Sequence, residues 1–276
     1  MYIRKMDFNG NVNAMLARAA AAFGIGDSLA IHEIETGHED FNYKLTTASG
    51  KYLAKIFSGS RENWEVSRLV SIYEKVSENN IAAPRLHHAG GNILFSDPES
   101  GLNMILMDWI DGKTYYEIGA PNDDELRQVI GNIAAIHKTD FPGLEFVIDT
   151  FSVQNRHALL AETATVMPKF PKEYKFVANA IDAFDKIPYD ELPRAFCHGD
   201  MSVQNTIRAN DGKIFHLDWS CANIYPRIHD LSVIATEFVY KNGRNLTDNA
   251  KIILDMYSEF SELTALEREV FMDYAR

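Results

Sequence analysis

Between residues 41 and 56 the apolar side chains recur with a period of two, and directly afterwards they recur at helical spacing. Phe41, Tyr43 and Leu45 alternate along DFNYKLTT, the turn signal ASG follows, and Tyr52, Ala54 and Ile56 alternate along KYLAKIF. Alternation places one face of each segment in a core, and the short turn makes the pair an antiparallel hairpin. Over residues 60–78, Val66, Leu69, Val70, Tyr73 and Val76 form a helical stripe instead. The chain is therefore expected to be α+β.

The flanking segments extend this pattern. Residues 12–23 are rich in helix formers and stop at Gly24, and after Pro84 the segments 85–89, 92–96 and 102–110 read as strands. From Asp111-Gly112 onward helices dominate. Asn122 with Glu125 reads as a capping box, and Leu126, Val129, Ile130, Ile133 and Ile136 supply the apolar face that follows it. Further helices are expected over 152–164, 172–185, 229–240 and 247–275. This predicts an antiparallel-sheet N-terminal lobe over 1–110 and a mainly helical lobe over 111–276.

With 46% hydrophobic and 24% charged residues, a chain of 276 has the material for a substantial core. Its net charge of −12 argues against nucleic acid as a partner, because phosphate neutralisation needs a Lys/Arg surplus. No stretch approaches the roughly 18 apolar residues of a membrane span, and MYIRKMDFNG lacks the apolar core of a signal peptide. Two cysteines, Cys197 and Cys221, are too few for a disulfide framework and suit a reducing compartment. A cytoplasmic protein without membrane contact is expected.

The polar run CHGDMSVQNT carries Asp200 and, five positions on (205 − 200), Asn205. Taken alone it reads more readily as a surface turn. Across the turn ANDGK, however, KIFHLDWS places Asp218 at the end of a strand-like stretch, so a hairpin would bring Asp200, Asn205 and Asp218 together. Two carboxylates and an amide oxygen suit a hard cation such as Mg²⁺, and that grouping suggests phosphoryl transfer. Cys197, His198, His216 and Cys221 could form a soft-metal cluster, but their spacing matches no zinc pattern.

Lys55 lies mid-strand in YLAKIF, where an unpaired ammonium would be costly to bury. On the following helix Glu65 falls on the side of Leu69, Ile72 and Val76, and so does Glu62, so helical position alone does not choose between them.

Taken in order, these segments resemble the aminoglycoside phosphotransferase and choline kinase superfamily, small-molecule kinases with a protein-kinase-like two-lobed fold. GHEDFNYKL resembles its nucleotide-loop hairpin, with Gly37 and Asn42; YLAKIF resembles its ATP-lysine strand, with Lys55. The distance from the helix to Pro84 favours Glu65 as the family's bracing glutamate. LMDWIDG resembles the interlobe linker, where the backbone near Asp108 and Ile110 would meet adenine. IGNIAAIHK gives His137; HGDMSVQN matches HGDxxxxN, HLDWS matches the second metal-binding segment, and RIHDLS places Asp230 in the closing segment.

The resemblance implies ATP and Mg²⁺ as cofactors and a small-molecule hydroxyl as acceptor. Asp200 would be catalytic, Asn205 and Asp218 would hold Mg²⁺, and Lys55, braced by Glu65, would contact the α/β-phosphates. Acceptors within the same chemistry include aminoglycosides, choline, homoserine and sugars, and a catalytically silent nucleotide-binding relative is the alternative outside it. GHEDFN has a single glycine and Trp219-Ser220 follow Asp218, both unlike the protein kinases, which disfavours a protein substrate; within the family itself the MSVQ stretch between Asp200 and Asn205 departs from many relatives.

Overall fold

The period-two stretches form the sheet of the first of two compact units, Met1–Asp111 and Gly112–Arg276. The computed structural model describes residues 10–35, 40–148, 152–163, 169–238 and 245–275. In the first unit, strands β1 (Ser28–Ile34), β2 (Phe41–Thr47), β3 (Lys51–Ile56), β4 (Leu94–Ser96) and β5 (Asn103–Asp108) pair antiparallel in the order β1-β2-β3-β5-β4. Leu45, Ala54, Ile56, Met104 and Leu106 are fully buried beneath helix α1 (Val12–Ala22), which contributes Met15, Leu16, Ala19 and Ala20 to the same core. Each large side chain so buried contributes on the order of 1.5–3 kcal/mol.

Polar groups fix that packing. Asn11 caps α1 by accepting the Ala14 N–H at 3.1 Å. Arg18 on α1 forks onto Asp97, beyond β4, with Nε–Oδ1 at 2.7 Å and Nη2–Oδ2 at 2.9 Å. Helix α2 (Asn63–Glu78) buries Val66, Leu69, Ile72, Tyr73 and Val76. The predicted stripe is met except that Ile72 takes the fully buried place expected of Val70, which is only partly covered.

The expected strand at 85–89 is not regular. Leu86 makes an isolated bridge to Met107, and Ala89 bridges Asn92 across a turn in which Gly90 and Gly91 both have positive φ. That turn consumes residues 89–92, so the regular strand begins only at Leu94.

In the second unit, β6 (Gly112–Thr114), β8 (Thr206–Ala209) and β9 (Ile214–His216) form one antiparallel sheet, and β7 (Arg194–Cys197) pairs with β10 (Asn223–Pro226). Gly112 permits the approach of β6 to β8, since a Cβ there would lie 2.3 Å from the Arg208 carbonyl oxygen. The helices are α3 (Tyr115–Ile118), α4 (Asp123–His137), α5 (Arg156–Thr163), α6 (Pro171–Phe184), α7 (Ile228–Glu237), α8 (Leu246–Ser258) and α9 (Ala265–Tyr274). Helix α4 packs on β7, β9 and α8, while α7 packs on α8 and α9.

The Asn122–Glu125 capping box forms as expected, with Asn122 Oδ1 accepting the Glu125 N–H at 2.9 Å and Glu125 Oε2 accepting the Asn122 N–H at 3.1 Å. The single helix expected over 247–275 is instead two. Thr264 starts α9 with a capping box of its own, in which Glu267 Oε2 accepts the Thr264 N–H at 2.8 Å. Arg227 then grips Glu267 with Nε–Oε1 at 2.6 Å and Nη2–Oε2 at 2.7 Å, which ties the new helix start to the chain entering α7. The expected helix over 152–164 begins as a 3-10 turn at Val153–Asn155 before α5.

Candidate active site

In the second unit the polar run leaves β7 at Cys197 and re-enters the sheet at Thr206. Asp230, in the first turn of α7, holds its start: the carboxylate accepts the His198 N–H at 2.9 Å and the Gly199 N–H at 2.8 Å. His137 at the end of α4 donates Nε2–H to Asp230 at 3.2 Å and receives the Tyr257 hydroxyl on Nδ1 at 2.9 Å. Burial alone would push this fully buried carboxyl up, but its bond to His137 and the nearby His198 and His229 bring it down to about 2. His229 adds a further tie, donating Nε2–H to the Gly199 carbonyl at 3.2 Å.

His198 points back into the hairpin. Its Nε2–H donates to the Leu217 carbonyl at 2.9 Å, while Nδ1 lies 3.3 Å from the Asp200 N–H, so both ring nitrogens are engaged. Gly199 has φ of 84°, and a Cβ there would come within 2.2 Å of the Cys221 carbonyl oxygen. Only glycine permits this contact between the loop and the segment after Asp218. Gly199→Ala is therefore expected to lower kcat for phosphate transfer by about tenfold or more while the circular dichroism spectrum is retained. Steady-state rates on the purified variant check this.

These ties bring Asp200, Asn205 and Asp218 together. Asn205 Nδ2 donates to Asp200 Oδ2 at 2.7 Å and to the Asp200 carbonyl at 3.1 Å, so its Oδ1 is the atom it can present to a cation. The Leu217 N–H donates to the Asn205 carbonyl at 2.8 Å, which joins Asn205 to the segment carrying Asp218. Asp218 sits at φ 57° and ψ 86°, a left-handed conformation that non-glycine residues adopt at a cost, and its Oδ1 accepts the Ser220 hydroxyl at 2.6 Å.

Burial pushes the Asp200 carboxyl above its ordinary value; His198 opposes that, the Asp218 charge adds to it, and bonds from Ser202 and Asn205 offset it in part. Two neighbouring carboxylates, together with an amide oxygen, form an all-oxygen donor set that fits Mg²⁺.

In the first unit, Lys55 is buried on the sheet face opposite Ala54 and Ile56 and stands in register with Asn42 and Ile105. Among the described residues it has a counter-charge in Asp40, whose Oδ2 lies 3.3 Å from Lys55 Nζ. Glu65, expected to brace Lys55, makes a different contact. Glu65 Oε2 accepts the Glu62 N–H at 2.6 Å and closes the first turn of α2, the reciprocal contact typical of a helix start.

Asp108 ends β5, its N–H donating to the Arg85 carbonyl at 2.9 Å. Its side chain takes Arg85 Nε at 3.0 Å and lies 2.7 Å from His87 Nε2. Ile110 follows outside the strand and is partly covered, and Gly37 lies outside the described residues.

The soft-metal reading finds no support. His198 is engaged by Leu217, His216 Nε2 lies 3.1 Å from Asn132 Nδ2, and burial lowers His216 to about 3. His137, Cys197 and Asp230 do have donor atoms within 4.8 Å of one another. Both His137 nitrogens and both Asp230 oxygens already make the bonds that hold the loop, and burial pushes the Cys197 thiol up.

The sequence pattern of the phosphotransferase enzyme family matches residues 30–258. The chain belongs to that family. This phosphotransferase is 22% identical over 253 residues to homoserine kinase from Zymomonas mobilis, spanning 90% of this chain and 77% of the other. In fold it is similar to a spectinomycin phosphotransferase, with a TM-score of 0.71 at 16% identity over 95% of this chain and 84% of that one. It is also similar to a choline kinase from Streptococcus pneumoniae, with a TM-score of 0.60 at 14% identity over 96% and 91% of the two chains. The phosphotransferase is a small-molecule kinase with an α+β, kinase-like fold, as its sequence led us to expect. Among the described residues, no helix is long and apolar enough to cross a membrane.

Proposed function

We propose that this phosphotransferase moves the γ-phosphate of ATP, with Mg²⁺, onto a hydroxyl group of a small molecule. The observation that carries this reading is the convergence of Asp200, Asn205 and Asp218 on a loop pinned by Asp230. Asp200 orients the acceptor hydroxyl and takes its proton as the phosphorus–oxygen bond forms. Its raised carboxyl suits a group that must accept a proton near neutral pH.

Asn205 Oδ1 and the Asp218 carboxylate would hold the Mg²⁺, which when bound neutralises charge on the phosphate oxygens. Lys55 neutralises the α/β-phosphates with Asn42 beside it on β2, and the backbone near Asp108 and Ile110 meets adenine. Because the transition state for phosphoryl transfer is loose, fixed position and charge contribute more than full deprotonation.

The similarity to homoserine kinase along most of the chain favours a metabolic amino alcohol as acceptor over an aminoglycoside. A panel of homoserine, choline, spectinomycin, an aminoglycoside and a hexose, assayed with MgATP for ADP release and ester formation, tests this. Homoserine is expected to give the highest kcat/KM, and EDTA is expected to abolish turnover. ATP binding with no turnover on any acceptor would instead indicate a silent relative.

A further inference from the structure

The counter-charge of the nucleotide-contacting lysine in kinases is usually sought on a helix, yet here the strand hairpin supplies a carboxylate. Asp40 immediately precedes β2, and the register that sets Asn42 opposite Lys55 makes Asp40 the diagonal neighbour of Lys55 on the same sheet face. Asp40 is 2% exposed and Lys55 is 3% exposed. The carboxylate is itself fixed: Arg61 reaches Oδ1 through Nε at 2.8 Å and Oδ2 through Nη2 at 2.9 Å, and the Ser58 N–H reaches Oδ1 at 3.1 Å. Lys55 Nζ meets the remaining side of Oδ2 at 3.3 Å. Glu65 meanwhile caps α2.

We propose that Asp40, locked by Arg61 and Ser58, is the positioning carboxylate for Lys55 and takes the part that Glu65 was expected to play. This rests on the reading of Lys55 as the residue that contacts the nucleotide phosphates. Asp40 touches no substrate and acts only through the ammonium group. A carboxylate held bidentately by a guanidinium has little rotational freedom, so it defines where Nζ sits more sharply than a side chain at an exposed helix start could.

A double-mutant cycle on the full chain tests it, read as kcat/KM for MgATP in the slow hydrolysis without acceptor and as the Kd of MgATP by calorimetry. Asp40→Asn is expected to lower kcat/KM by about tenfold or more in the wild-type background, and by less than about twofold in Lys55→Met. Glu65→Gln is expected to lower the melting temperature with less than about a twofold change in kcat/KM.

Should Asp40→Asn fail to fold with two buried cations facing an amide, Asp40→Asn with Arg61→Gln removes one charge of each sign and is expected to show the same loss. Losses from Asp40→Asn and Lys55→Met that multiply would overturn the proposal, as would a loss with Glu65→Gln matching or exceeding that with Asp40→Asn. A Lys55→Met variant that hydrolyses and binds MgATP like the wild type would instead remove the reading of Lys55 itself, and the proposal with it.

Discussion

Asp200→Ala is expected to reduce phosphate transfer by at least about 10³-fold while the Kd for MgATP changes by less than about twofold. In the proposed mechanism Asp200 is the carboxylate that receives the proton: it is partly covered, raised by burial and by Asp218, and held by the 2.7 Å bond from Asn205 Nδ2. Alanine removes the acceptor of that proton and the partner of Asn205, yet leaves Lys55 and the first unit untouched. Calorimetric titration with MgATP alongside single-turnover transfer separates binding from chemistry. Retained turnover would show that another group orients the hydroxyl.

Asp230→Asn should be the most damaging change away from the reacting atoms. The carboxylate accepts from two backbone N–H groups and His137, and an amide can supply only one oxygen to those three donors. Loss of about 2–4 kcal/mol of stability is expected from the orphaned buried donors, together with a fall in kcat as the loop loosens.

The pH dependence has a definite sign. The folded carboxyl is depressed to about 2 from its ordinary 3.8, so Asp230 contributes stability above pH 3.8 and loses it as pH falls toward 2. That contribution is on the order of 2 kcal/mol. Urea titrations at pH 7 and below pH 4 should show a wild-type advantage that shrinks on acidification. Equal midpoints for the two proteins at pH 7 would refute the anchoring role.

Much of this was legible because period and turn chemistry are local. The alternation of Tyr43, Leu45, Tyr52 and Ala54 determines the hairpin, and a hairpin determines which residues face which. The pairing of β8 with β9 follows from ANDGK in the same way, and it brings Asp218 to Asp200. What escaped was long-range or competed with a stronger local signal. Helical spacing points Lys55 toward Glu65, although the register that sets Asn42 against Lys55 also makes Asp40 its diagonal neighbour. The break before α9 was visible as T-x-x-E at Thr264–Glu267 but was masked by continued apolar spacing. The grip of Asp230 on the loop spans 31 to 32 residues and depends on how α7 meets β7, which no short window contains.

The MSVQ stretch also becomes intelligible. Met201 and Val203 are buried, Gln204 is exposed, and the Ser202 carbonyl accepts the Asn205 N–H at 3.2 Å and the Thr206 hydroxyl at 3.0 Å. Alternate residues anchor the loop in the core, so the ends carrying Asp200 and Asn205 hold their places without the sequence found in many relatives.

The Asp230 clamp also sets a timetable for synthesis. A ribosome delivers Asp200, Asn205 and Asp218 before the residue that orders them, since Asp230 comes thirty positions after Asp200 (230 − 200). Until α7 has left the exit tunnel and docked, a nascent chain holds these three side chains without their arrangement. The proposed site is thereby reserved for chains long enough to have built the helix behind it.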